Sequence, residues 1–173
     1  MLKVSNIRKI INGKTIIDDI SFNINLGNIY GLLGPNGAGK TTTFYSIAGL
    51  IKCNEGEIYL GDSNITKLPM HKRSKLGIKY LPQEPSIFQN LTVIENLMGL
   101  AELSYASKKD VDQFVEKSIE DFKLSKILHS KGRELSGGQR RKVEIARTLA
   151  ADPKIILLDE PFAGIDPIAI EEI

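Results

Sequence analysis

The sequence predicts an α/β fold: a largely parallel core sheet, preceded by an antiparallel hairpin region and interrupted by an all-helical insert. Three observations predict it. Short aliphatic runs alternate with amphipathic stretches, the order that builds parallel strands with crossover helices. The first two apolar stretches meet across Asn12-Gly13, a hairpin turn pair. Between about residues 90 and 151, three helical patterns follow one another with no strand between them.

Leu2 to Ile10 and Thr15 to Phe22 read as the hairpin strands. Ile29-Tyr30-Gly31-Leu32-Leu33 is a short apolar run that predicts a strand buried on both faces. From Thr41 the period becomes helical, with Phe44, Ile47, Ala48 and Ile51 sharing one face. Gly49 and Asn54-Glu55-Gly56 mark the exit. Glu57 to Leu60 and Ile78 to Leu81 are further strands, the second ended by Pro82. Thr92 to Leu103, Lys108 to Lys123 and Gln139 to Ala150 are amphipathic helices, and Ile155 to Leu158 is again a buried strand. The chain reads as one domain over 1–173 in three segments. Residues 1–89 hold the N-terminal β region and the core, 90–152 the helical subdomain, and 153–173 the last strand and its loop.

Composition narrows the class without naming a function. Apolar residues make up 42% and charged residues 25%, as in an ordinary globular domain. No run is long enough to cross a bilayer, and the first residues carry a charge too early for a secretory leader. A single cysteine, Cys53, excludes an internal disulfide and suits a reducing compartment. The net charge of +2 is too small by itself to argue for nucleic acid, none is expected as a partner, and the basic runs His71 to Lys75 and Gln139 to Lys142 read as solvated faces.

Gly34-Pro35-Asn36-Gly37-Ala38-Gly39-Lys40-Thr41 fits the phosphate-loop pattern, with a strand expected before it and a helix after. Small residues let backbone N–H groups turn inward around a β-phosphate, and the helix start adds its positive end. Lys40 is placed to bridge β- and γ-phosphates, and the Thr41 hydroxyl to ligate Mg²⁺, with Thr42 beside it. Asp159-Glu160 closes a buried strand, whose C-terminal end opens on the crevice where such a loop sits. Asp159 is assigned to Mg²⁺ and Glu160 to polarising the attacking water. Gln83 follows another strand end, where a neutral amide can touch Mg²⁺ or that water.

Ser136 and Gln139 have the spacing of a capping box in Leu135-Ser136-Gly137-Gly138-Gln139. A cap needs no glycines. Gly137 and Gly138 strip the helix entrance so that another molecule can approach its N–H groups. With one triphosphate cradle already present, this second anion site suits a nucleotide held by a second copy of the chain.

Taken together, GPNGAGKT, Gln83, LSGGQ, ILLDEP and Gly164-Ile165-Asp166, in this order, resemble the ATP-binding cassette ATPases, a family of P-loop NTPases with a RecA-like core. The resemblance implies ATP and Mg²⁺ as cofactors and a head-to-tail homodimer clamping two nucleotides. Gly34 to Thr42 would hold ATP in one subunit, and Ser136, Gly137, Gly138 and Gln139 would contact it from the other. It gives Gln83 a catalytic and metal-binding role and puts Asp166 in the loop linking the two sites. The stretches from Leu68 to Met98 and Arg140 to Ile168 are similar to the branch that powers lipopolysaccharide export. That likeness implies two integral membrane partners received by the segment after Gln83, with Phe88, Leu91 and Val93 as groove residues. It implies a cytoplasmic protein, peripheral on the cytoplasmic face of the inner membrane. The alternative within the family is a soluble ATPase that clamps DNA or an assembly scaffold. A GTPase would need an Asn-Lys-x-Asp segment, and none is present.

Two departures stand out. Ile11 holds the position where the family stacks adenine on an aromatic ring. The chain stops at Ile173, before the family's next core strand and its switch histidine, and neither His71 nor His129 can fill that role. The resemblance therefore implies missing C-terminal core strands. It predicts a marginally stable polypeptide that binds nucleotide weakly and hydrolyses it poorly.

Overall fold

A computed structural model describes residues 1–150, 152–166 and 170. The chain divides into two units, Met1–Tyr80 and Leu81–Ile173.

In the first unit, β1 (Leu2–Ile11) and β2 (Lys14–Ile24) form the expected hairpin, with Asn12 at φ 49° and Gly13 at φ 76°. Both central residues are left-handed, as a turn matched to strand twist requires. β3 (Glu55–Leu60) pairs antiparallel with β1, and β4 (Ser63–Asn64) with β3, giving the order β2-β1-β3-β4. Leu2, Val4 and Ile7 are all buried, although a regular strand would turn the third of them outward. A register shift between Val4 and Ile7 resolves this. Asn6 (φ 48°) takes the extra position, and its amide donates to Asp19 Oδ1 at 2.7 Å, where Asp19 is itself left-handed at φ 53°. Opposite them Gly56 (φ 88°) lies so close to the Asn6 carbonyl that no side chain fits. This bulge keeps the apolar residues on one face.

Helix α1 (Lys40–Ala48) buries Thr43, Ser46, Ile47 and Ala48, a face turned slightly from the expected Phe44–Ile51 stripe. Its two buried hydroxyls donate to the carbonyls four residues back, Thr43 to Gly39 at 2.9 Å and Ser46 to Thr42 at 2.9 Å. The polar groups are thereby satisfied inside the core. On α2 (Met70–Lys75), Arg73 is only 2% exposed. It donates to the carbonyls of Leu68, Thr66, Ser46 and Ile47 at 2.7–2.8 Å. The run His71 to Lys75 is thus not simply a solvated face: its arginine ties off the C-terminal carbonyls of α1.

One expected element does not form. Ile29 to Leu33 is not a strand, and Ile29 and Leu33 are 101% and 92% exposed. A strand buried on both faces exists only where ladder partners flank it, and among the described residues no strand pairs with this run.

A second sheet pairs β5 (Ile78–Leu81) with β6 (Ile155–Leu158). Three helices precede β6: α3 (Val93–Ser104), α4 (Lys108–Asp121) and α5 (Gly137–Thr148). Each starts where a side chain caps it: Thr92 with Glu95, Ser107 accepting from the Asp110 N–H, and Ser136 with Gln139. Their apolar faces close over one cluster that includes Val93, Leu97, Val111, Val115, Leu135 and Val143.

Candidate functional site

The first half of the candidate site is the loop opening α1. Gly37 (φ 81°) and Gly39 (φ 86°) are left-handed, and a Cβ on Gly39 would lie 2.6 Å from the Ile16 carbonyl oxygen. Glycine is therefore required at Gly39 by both conformation and space. Pro35 and Asn36 are exposed on the rim, and the Ala38 N–H turns back to the Pro35 carbonyl at 3.2 Å. The Lys40 ammonium folds over the loop and donates to the carbonyls of Gly34 at 2.9 Å and Pro35 at 3.0 Å. Those neutral acceptors are weaker partners than phosphate oxygens, so the ammonium is held where a phosphate can take it over. Thr41 and Thr42 sit half-buried in the first turn. Arg73 at the far end places a cation on the negative pole of the same helix. Ile11, the adenine position of the resemblance, lies 41% exposed at the end of β1.

The second half lies in the second unit, where β5 and β6 end. Asp159 is 3% exposed, and its N–H donates to the Leu81 carbonyl at 3.1 Å. Glu160 is exposed and left-handed at φ 43°, an uncommon conformation for a side-chain-bearing residue. Its Oε2 accepts from Gln83 Nε2 at 2.9 Å. Residues 77 positions apart in sequence thus meet. His71 and His129 are exposed elsewhere.

For Mg²⁺ the donors suggested by sequence are a hydroxyl (Thr41), an amide oxygen (Gln83) and a carboxylate (Asp159). Such hard oxygens suit the ion. No group of three or more His, Cys, Asp or Glu that could hold a metal occurs among the described residues. Mg²⁺ commonly keeps several waters and binds through one or two protein oxygens plus substrate phosphates.

The third part is the start of α5. Ser136 Oγ accepts from the Gln139 N–H at 3.2 Å, and Gln139 Oε1 accepts from the Ser136 N–H at 3.0 Å. The capping box is therefore complete. Gly138 is buried, but a Cβ on Gly137 would meet nothing within 4 Å. Among the described residues no close neighbour demands a glycine there.

Sequence reasoning missed the polar layer behind these residues. Arg141, Glu144 and Arg147 are 5%, 3% and 7% exposed, so the run Gln139 to Lys142 is not the solvated face expected of it. Glu144 Oε1 accepts from the N–H groups of Ser86 at 2.7 Å and Ile87 at 3.1 Å. Arg147 donates to the Ser86 carbonyl at 3.1 Å and to Asn96 Oδ1 at 3.2 Å, and lies 4.5 Å over the Phe88 ring. Burial draws the Arg147 guanidinium below its usual pKa, with the Glu144 charge opposing. Buried Asn96 in turn holds the segment after Gln83, accepting from the Phe88 N–H and donating to the Phe88, Leu91 and Thr92 carbonyls. The signal available was the stripe of alternating charge at three-residue spacing on α5. Of the expected groove residues, Phe88 and Leu91 are 49% and 40% exposed, whereas Val93 is fully buried in the helical core.

The ABC transporter family model matches residues 17–163. The lipopolysaccharide export system ATP-binding protein LptB of Haemophilus influenzae is 51% identical over 178 residues, covering 100% of this chain and 72% of that protein. Its counterpart from Escherichia coli is 47% identical, covering 99% and 72%. Among solved structures, an ATP-binding cassette of an ABC transporter in its ADP conformation has a TM-score of 0.85 at 34% identity, covering 99% of this chain and 72% of that one. A dimeric ATP-binding cassette in a post-hydrolysis state, bound to ADP and Pi, has a TM-score of 0.85 at 28% identity, covering 99% and 79%. The chain belongs to the ABC transporter family and is an ATP-hydrolysing cassette of that family.

Proposed function

We propose that the chain is the ATPase subunit of an export transporter, pairing head to tail with a second copy on ATP, with lipopolysaccharide as cargo. Its three sequence segments, 1–89, 90–152 and 153–173, would work as one ATPase domain. The cargo is suggested by the lipopolysaccharide export system ATP-binding proteins to which the chain is 47% and 51% identical. Pairing is suggested by the dimeric cassette. Among the described residues no helix is long and apolar enough to cross a membrane. Contact with the bilayer would then run through two membrane subunits, docked on the segment after Gln83 around Phe88 and Leu91, at the cytoplasmic face of the inner membrane.

In this reading Gly34 to Thr42 bind the triphosphate, with Lys40 neutralising it. Mg²⁺, when bound, supplies Lewis-acid stabilisation of the phosphate oxygens, with Thr41, Gln83 and Asp159 as its protein ligands. Glu160 polarises the attacking water, and Gln83 orients the Glu160 carboxylate through their hydrogen bond. Ser136, Gly137, Gly138 and Gln139 present a bare, capped helix start to the partner's nucleotide.

The observation that carries the trans reading is the open space around Gly137, where an added side-chain carbon would meet nothing within 4 Å among the described residues. The test is ATP-dependent dimerisation of Glu160→Gln, read by analytical ultracentrifugation at saturating Mg-ATP. That variant is expected to be dimeric. Adding Gly137→Ala is expected to restore the monomer while each chain still binds ATP. A dimer that tolerates the added methyl, or a monomeric Glu160→Gln, would refute the head-to-tail arrangement.

A further inference from the structure

Two loops carry the hydrolytic pair, and each is built around a proline. Pro82 immediately precedes Gln83, and Pro161 immediately follows Glu160. Proline has no N–H, so at these positions the backbone can be tied down only through its carbonyl. One side chain takes both carbonyls. Arg141, on α5, donates through Nη1 to the Pro82 carbonyl at 2.9 Å and through Nε to the Pro161 carbonyl at 2.7 Å. Its Nη1 also meets Glu144 Oε2 at 3.1 Å. Glu144 in turn grips the same Gln83 segment at the Ser86 and Ile87 N–H groups.

We propose that Arg141 is a positioning residue for hydrolysis, a fork that sets the separation of Gln83 and Glu160 and fastens both to the helix that begins at Ser136. This rests on the reading of Gln83 and Glu160 as the hydrolytic pair. Their single hydrogen bond at 2.9 Å needs both loops held at one spacing, and the planar guanidinium has the rigid geometry to hold it. Stability alone is a poor reason for the arrangement. Among the described residues the buried Arg141 Nη2 atom has no hydrogen-bond partner, a state that costs free energy. A buried ion pair is in any case weak evidence of a stabilising role. The consequence is mechanical. The first residues of α5, which would face the partner's nucleotide, cannot shift without carrying the water-polarising carboxylate of their own chain.

The decisive variants are Arg141→Lys, Arg141→Ala and Val111→Ala, the last a core truncation in α4, outside residues 81–90 and 159–163. Hydrogen exchange and steady-state ATP turnover are measured on the full chain at saturating Mg-ATP. Lysine keeps the charge beside Glu144 but is a point donor that cannot span two carbonyls. Arg141→Lys is therefore expected to stay folded, to exchange faster at residues 81–90 and 159–163, and to lose about 10- to 100-fold in kcat, since ångström-scale misplacement costs that much. KM for ATP is expected to stay within about threefold, because the phosphate loop is untouched. Val111→Ala is expected to lower stability and leave kcat alone. The proposal is overturned if Arg141→Lys keeps wild-type exchange in both loops. It is also overturned if its kcat falls no further than that of Val111→Ala. Should Gln83→Ala and Glu160→Gln leave turnover intact, the assignment of the hydrolytic pair fails. The exchange data would then still decide whether Arg141 holds the loops.

Discussion

Truncating Arg73 to alanine is the most informative perturbation of the first unit. The guanidinium is 2% exposed and makes four hydrogen bonds of 2.7–2.8 Å, all to backbone carbonyls. Burial lowers its pKa below the usual arginine value, a sign that desolvation opposes the charge. Each charge-assisted bond is worth about 1.5–3 kcal/mol net. Removing the donor also leaves its carbonyls facing a cavity. Against this, several kcal/mol of desolvation penalty are relieved. The balance is a loss of about 3–5 kcal/mol, a large share of the ~5–15 kcal/mol typical of whole domains. Urea unfolding followed by far-ultraviolet circular dichroism reads it directly. With a slope of roughly 2 kcal/mol per molar, the midpoint falls by about 1.5–2.5 M, if the variant folds at all. Arg73→Met fills most of the volume without donating. It is expected to recover less than half of the loss, since hydrogen bonds rather than packing dominate. A loss below about 1 kcal/mol for Arg73→Ala, or full recovery by Arg73→Met, would refute the reasoning.

Two further outcomes concern the loop and the helical subdomain. Lys40→Ala is expected to fold normally and to weaken ATP about 10- to 100-fold, as for the loss of one charge-assisted contact; titration with a fluorescent ATP analogue measures it. The Glu95 carboxylate is held below its usual pKa, first by the Thr92 N–H and then by the Thr92 hydroxyl. A depressed acid contributes stability that is fully present above its unfolded value of ~4.3 and is lost as pH falls through its folded one. Glu95→Gln is therefore expected to flatten the acid limb of urea midpoints measured from neutral pH down to about pH 3. An unchanged limb counts against that role.

Local chemistry explains what could be read from the sequence. Asn12-Gly13 specifies its turn by conformation alone, and Thr92, Ser107 and Ser136 each cap a helix with a residue three positions on. Gln83 and Glu160 could each be placed after a strand end, whereas their direct hydrogen bond depends on those two strands pairing. The failures have a common cause. Ile29 to Leu33 needed neighbours on both sides, which no local pattern reveals. The burial of Arg73 and Arg141 depends on carbonyls up to 27 and 59 residues away, so a basic run looked like a solvated one.

The bulge in β1 has a consequence for how this sheet tolerates change. Asn6, Asp19 and Gly56 lie on three adjacent strands, and all three are left-handed, at φ 48°, 53° and 88°. They form a crease running across the strands, not an isolated defect in one of them. Asn6 and Asp19 clasp each other, and the Asn6 carbonyl occupies the space a side chain on Gly56 would need. A substitution at any one position therefore lands on a line where the other two have already committed the backbone. The three are expected to be inherited as a set, with fitness effects that depend on one another and do not simply add.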